Sequence, residues 1–212
     1  MSHLPKLIIT ADDYGMSPLF NYGIEELASL GLITGVSVMV KRSYIEPAKL
    51  KSLSTTLGLH LELEETSTAE EMQTQIKSFQ AMFGQLPAYL DGHQHKHLTP
   101  ENLPRIVAVA KKLGLPVRSR NSEDRARLKT AGILTPDNFI SWHPDRLHVL
   151  QERLGTATKF SVSELVVHPG YFDPACDYPY NQEREAELQL LKSSQFRTFI
   201  SRFTLTSYRL FT

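Results

Sequence analysis

Short segments rich in β-branched residues alternate along this chain with amphipathic stretches, and that order restricts it to an α/β fold with a mainly parallel sheet covered by helices. Leu7 to Thr10, Gly35 to Val40, Leu57 to Leu63, Ala88 to Asp91, Pro116 to Arg118 and Glu164 to His168 read as strands. Helices are expected over Pro18 to about Leu30, Ser43 to Leu53, Thr68 to Phe83, Pro100 to Leu113 and Glu183 to Ser193. Ser17 offers a capping side chain just before Pro18, and Gly31 supplies the stop. Met72, Ile76, Phe79 and Phe83 recur at helical spacing. The stretch from Asn121 to Arg153 is poorly periodic, with helix expected near Arg125 to Thr130 and Pro144 to Leu154. Such a sheet can close into a barrel or stay open and doubly wound, and periodicity alone does not choose.

A chain of 212 residues can bury one sizeable core. With no repeat, low-complexity run or linker-like composition shift, a single domain over residues 1–212 is expected. Lys+Arg and Asp+Glu balance at 23 each, so no overall field draws the chain to nucleic acid or to an anionic membrane. Apolar runs fall far short of the roughly 20 residues that cross a bilayer. The amino-terminal residues enter a strand at once, without the charged head and long apolar stretch of a signal peptide, so a cytoplasmic location is expected. Cys176 is the single cysteine, which leaves neither an internal disulfide nor a cysteine metal site.

The chemistry concentrates where strands end. Ala11-Asp12-Asp13-Tyr14-Gly15 follows the first strand, His60 lies in the third, and Asp91-Gly92-His93-Gln94-His95-Lys96-His97 follows the fourth. Ligand sites of α/β folds are built at the carboxyl ends of strands. An Asp and two His from separate strands can hold one divalent ion and leave positions open for water and substrate. Taken singly, each piece has a plainer reading: Asp12 and Asp13 as solvated turn residues, His60 as a hydrogen-bonded core residue. Three imidazoles in five residues are rarely needed for packing. They share a face if extended, and His93 shares one with His97 if helical. Asp91 adds a carboxylate able to support a ligand. His168 closes another strand before Pro169-Gly170, where proline fixes the turn and glycine lets the backbone approach a ligand. Arg118 and Arg120 could orient a substrate oxygen or pair with Asp12. His3, His143 and His148 carry no motif.

These residues in this order resemble the YdjC-like carbohydrate deacetylase family, which includes chitooligosaccharide deacetylases. The matching pieces are Ala11 to Ser17, Asn21-Tyr22-Gly23-Ile24, Gly58-Leu59-His60, Leu90 to His97, Arg118, His168-Pro169-Gly170 and the tail Ser207-Tyr208-Arg209. The resemblance implies a distorted, incomplete (β/α) barrel of mainly parallel strands, related to polysaccharide deacetylases. It implies metal-dependent hydrolysis of N-acetyl groups on small sugars such as chitooligosaccharides. Carried over position by position, it makes Asp13, His60 and His93 the ligands of one divalent metal ion and Asp12 the base, with His168 and Arg118 at the catalytic rim. Asp91, His95 and His97 stand as candidates for the groups behind the ligands.

Magnesium is the ion the resemblance implies, whereas an Asp-His-His set suits zinc on ligand chemistry. Asp12 would take the proton of the attacking water and His168 would protonate the departing amine. Two other readings use the same residues: another metal-dependent hydrolase, such as a phosphoesterase or amidohydrolase, and a catalytically silent sugar-binding protein. No glycine-rich phosphate loop favours the first, and a binder needs neither base nor acid. Leu61 to Ser67 is polar and too short to fold over a cleft. The expected partner is therefore a small N-acetylated sugar, bound in a shallow cleft or in one walled by the second subunit of a homodimer.

Overall fold

The computed structural model describes residues 4–211. Strand β1 (Lys6–Tyr14) leads into α1 (Pro18–Ser29), followed by β2 (Gly35–Val38), α2 (Pro47–Ser52), β3 (Thr56–Leu61), α3 (Ala69–Phe83) and β4 (Leu90–Gly92). The second half runs α4 (Leu103–Leu113), α5 (Ser122–Thr130), β5 (Asn138–Ile140), α6 (Leu147–Ala157), β6 (Val162–Val167), α7 (Gln182–Lys192), α8 (Ser194–Ile200) and β7 (Thr204–Thr206). The strands pair in parallel in the order β4-β3-β2-β1-β6-β5. β6 lies along one edge of β1, while the other edge is shared: β7 takes Lys6 to Ile8 and β2 begins at Thr10. Beyond β4 one parallel bridge joins Leu90 to Val117, whose N–H donates to the Leu134 carbonyl. The sheet thus curls into a half-barrel without a full strand to close it.

Alternation along the strands gives this sheet two unlike faces. Leu7, Ile9 and Ala11 of β1 pack with Val36, Val38, Leu59, Leu165 and Val167 in the main core under the helices. Ile8 instead joins Tyr89, Val162 and Tyr208 inside the curl. Thr10 and Asp12 follow Ile8 on that inner face and are buried polar groups. Tyr208, just after β7, stacks on Tyr89 with ring centroids 4.0 Å apart and donates its hydroxyl to Glu164. This plug fills the amino-terminal end of the curl and leaves the carboxyl ends of the strands to polar side chains. Gly58 is needed beside it, because a Cβ there would sit 2.1 Å from the Tyr89 ring.

Ser17 caps α1 by accepting from the N–H groups of Leu19 and Phe20, and Thr68 forms a reciprocal cap on α3 with Glu71. Other elements differ from expectation. β1 runs past Thr10 through both acids to Tyr14. The helix expected over Ser43 to Leu53 is confined to Pro47–Ser52, and Pro116 to Arg118 contributes a single bridge. β5, α8 and β7 are too short to carry a period that the sequence could betray. Among the described residues no helix is long and apolar enough to cross a membrane.

Candidate metal and catalytic centre

Regular alternation would send Asp13 into the apolar core beside Ala11. A bulge prevents this. Between Ala11 and Tyr14, β1 carries one residue more than β2, and Asp13 takes the left-handed conformation at φ 69°. Aspartate is among the few non-glycine residues that tolerate this region. Both carboxylates consequently reach His60: Asp13 Oδ1 lies 3.3 Å from Nε2, and Asp12 Oδ2 lies 3.9 Å from Nδ1. His93 brings its Nδ1 to 3.0 Å from the same Asp13 oxygen. Asp13, His60 and His93 thus offer three ligand atoms within 4.8 Å of one another. His60 Nδ1 lies 2.9 Å from Asp91 Oδ1, a contact that orients the ring with Nε2 toward Asp13.

Asp12, His60 and Asp91 form a second close group, but Arg118 already fills it. Its guanidinium holds Asp12 as a fork, Nη1 to Oδ2 at 2.6 Å and Nη2 to Oδ1 at 3.0 Å, and Nη2 lies 2.8 Å from Asp91. Nε and Nη2 also donate to Glu164. Arg118 is 0% exposed, so it stands behind the site rather than at its rim. Burial alone would raise the Asp12 carboxyl, but Arg118 and His60 outweigh it and hold it far below the usual carboxylate range. Burial opposes Asp13 in the same way, and Arg184 with the two imidazoles brings it well below that range. Arg120 is exposed and lies 3.9 Å from Asp124, away from this centre.

The histidine run is neither an extended strand nor a regular helix. Gln94 and His95 adopt φ 55° and 58°, so the three imidazoles diverge. Of these, His93 alone belongs to the ligand group. His97 is buried with Nε2 against the Arg118 carbonyl, and supports that backbone. His95 packs edge-on to Phe139, and burial takes its imidazole down to about 4. His168 stands half-buried after β6; burial lowers its imidazole, and Asp13 and Asp12 only partly offset this. Its neighbour Gly170 makes a close approach to α1 rather than to a ligand: a Cβ on Gly23 would lie 2.8 Å from the Gly170 Cα.

Helix α7 supplies two residues that sequence reasoning missed. Arg184, fully buried, donates to Asp13 Oδ2, and its guanidinium carbon lies 4.1 Å from the Phe20 ring centroid. Glu187 accepts from the His168 backbone N–H and the Tyr180 hydroxyl, and burial pushes its carboxyl up to about 7. Both sit in a charge-rich helix where no pattern separates them from solvated neighbours. Glu164 did leave a signal, as the one charged residue of its strand.

Glu62 to Thr68 do not cover the centre as a lid but line the larger of two cavities beside His93, and Asp173 to Pro179 wall the smaller one. Tyr178 packs 5.8 Å from the His93 ring, and Tyr180 packs edge-on to His168. Bonds from Tyr171 to Glu26 and from Ser17 to Asp173 tie residues 171–173 to α1. The two open cavities, about 860 and 440 Å³, are both lined by His93 and Arg42.

Charge balance tests whether the centre fits a cation. Three buried carboxylates close to His60, Asp12, Asp13 and Asp91, outnumber the two buried guanidiniums that pair with them, Arg118 and Arg184, so negative charge is left over. Unbalanced buried charge is costly. His60 responds to it: burial would lower its imidazole, yet Asp12, Asp91 and Asp13 raise it well above its ordinary value. A divalent ion among Asp13, His60 and His93 would offset that excess, and one carboxylate with two imidazoles is a suitable donor set. The residues fit such an ion.

A model of the YdjC-like protein family matches residues 6–70 and 64–202 of this chain. A chitooligosaccharide deacetylase from Proteus mirabilis is 27% identical, over 95% of this chain and 95% of its own length. A carbohydrate deacetylase from Geobacillus stearothermophilus is 26% identical, over 87% and 88% respectively. Among solved structures, a protein of Enterococcus faecalis superposes with a TM-score of 0.86 at 23% identity, covering 99% of each chain. A peptidoglycan deacetylase from Bacillus subtilis gives a TM-score of 0.51 at 12% identity, covering 98% of this chain and 90% of that one. Those two structural likenesses concern the fold.

Proposed function

Since this chain belongs to the YdjC-like protein family, we propose that it is a metal-dependent hydrolase that removes N-acetyl groups from small N-acetylated sugars such as chitooligosaccharides. Relatives named as deacetylases support sugar deacetylation as the general activity. The observation that carries the finer reading is the convergence of Asp13, His60 and His93 beside the buried Asp12–Arg118 pair, at the mouth of an open cleft.

An acetamide is a poor electrophile and water a weak nucleophile. A divalent cation held by Asp13, His60 and His93, magnesium on family grounds or zinc on donor chemistry, would polarise the acyl oxygen and acidify the attacking water. Asp12 accepts that water's proton, and the Arg118 fork keeps it ionised and oriented. The same fork lowers the basicity of Asp12, so proton transfer to it relies on the water being held against the carboxylate. His168 gives a proton to the departing amine. Tyr178 and Tyr180 offer aromatic surface against which a sugar ring can pack. Arg42 and Lys96 on the cleft wall are each paired with a glutamate, Glu62 and Glu64, which leaves them poorly placed for the phosphate clamp that a phosphoesterase needs.

Acetate release from N-acetylated mono- and disaccharides is the direct test. Activity should vanish on chelation and return with one divalent ion, and elemental analysis should find about one ion per chain. Protein that holds no ion and releases no acetate with any ion added would end this reading. His168→Gln should lower kcat by about 10²-fold or more and remove the basic limb of the pH profile, since a general acid must be protonated to act and activity falls as pH rises through its pKa. Loss of the acidic limb instead would make His168 the base.

A further inference from the structure

The two oxygens of Asp13 are in unequal positions. Oδ1 faces His60 and His93 at 3.3 and 3.0 Å, while Oδ2 accepts from Arg184 Nη2. Arg184 has little freedom to withdraw. It is fully buried, its guanidinium carbon lies 4.1 Å from the Phe20 ring centroid, and Nε donates to the Tyr180 carbonyl at 3.0 Å. Its own carbonyl accepts from Gly170 N–H, and Glu187, three residues along the same helix, holds the His168 N–H. The backbone of Asp13 is set independently by the bulge in β1.

We propose that Arg184 is a positioning residue: it reserves Oδ2 of Asp13, restricts that carboxylate to one-oxygen ligation, and so makes the centre discriminate against large divalent cations. The inference rests on the cation-binding reading of the preceding subsection. Calcium gathers six to eight oxygens at about 2.3–2.6 Å and readily takes both oxygens of one carboxylate, whereas magnesium demands a compact shell at about 2.0–2.1 Å. To offer its second oxygen, Asp13 would have to break a charge-assisted bond to a guanidinium that has no water to turn to. The charge of Arg184 weakens attraction for every divalent ion alike. Only its claim on Oδ2 depends on the size of the ion.

Size dependence makes the test. Calcium and magnesium are titrated calorimetrically into chelator-treated wild type, Arg184→Gln and Arg184→Lys, without substrate, alongside thermal unfolding of each metal-free protein. Neither replacement reproduces the planar fork that reaches Asp13 and the Tyr180 carbonyl together. The ratio of calcium to magnesium affinity should rise by about tenfold in Arg184→Gln, the low end of what altering a ligand's partner does, and in the same direction but less in Arg184→Lys. If the neutral variant does not fold, the lysine variant carries the test. A purely structural role would weaken both ions in parallel with the loss of thermal stability, and an unchanged ratio in a folded variant overturns the proposal. Wild type that binds neither of these ions nor zinc would overturn the cation reading itself, which is a different failure.

Discussion

Asp12→Asn is expected to lower kcat for acetate release by about 10² to 10⁴-fold while leaving the bound cation in place. The substitution keeps size and removes basicity. It also converts one half of the Arg118 fork from acceptor to donor, so the lost bond falls on Arg118 rather than on the ligand group. Asp13→Asn should do the reverse. Its Oδ1 is the atom shared by His60 and His93, so cation content should fall, and activity with it. Elemental analysis and steady-state kinetics on the same preparations separate the two roles. Equal loss of cation in both variants would show that the division of labour between the neighbouring acids is wrong.

Arg118→Met is expected to destabilise the fold by about 3–5 kcal/mol at neutral pH, because removing one partner of a buried ionic group leaves the others uncompensated. Here the others are three carboxylates, Asp12, Asp91 and Glu164, grouped around one fully buried guanidinium. The deficit should depend on pH. In the wild type the depressed Asp12 carboxyl contributes stability that is present above its unfolded pKa of about 4 and is lost as pH falls through the folded value. In the variant, burial without a guanidinium pushes the carboxyls up, so protonation relieves them. The gap between the two proteins should therefore be largest near pH 7 and shrink as pH falls toward the ordinary carboxylate range. Urea unfolding of the metal-free proteins at several pH values measures this. A gap that does not change with pH would assign the loss to packing alone.

These variants probe residues that differ in how far the sequence exposed them. Asp12 and Asp13 stand out as an acidic pair after an apolar strand, and Asp91 and His93 do so likewise. Their shared destination is less visible. An alternating strand would part the two acids, and the bulge that reunites them costs an aspartate a left-handed backbone that no residue pattern announces. The crowded histidines mislead for a related reason. Spacing suggests a common face, but two consecutive left-handed residues disperse the rings, leaving one imidazole as a candidate ligand and another as support for the Arg118 backbone.

The sequence by itself determined the β-then-α order, the helix cap at Ser17, and the strand ends from which the ligand group comes. These are local properties, written in periodicity, capping chemistry and the position of polar residues within a few neighbours. Tertiary structure alone decided what holds those side chains in place. Arg118 meets Asp12 across 106 residues, Arg184 meets Asp13 across 171, and Tyr208 reaches back to Glu164 across 44. No short-range pattern distinguishes these partners from solvated arginines or a surface tyrosine. Their pairing arises when the sheet curls and removes water from its inner face, so that each buried charge must find an opposite charge or hydrogen-bond partner there.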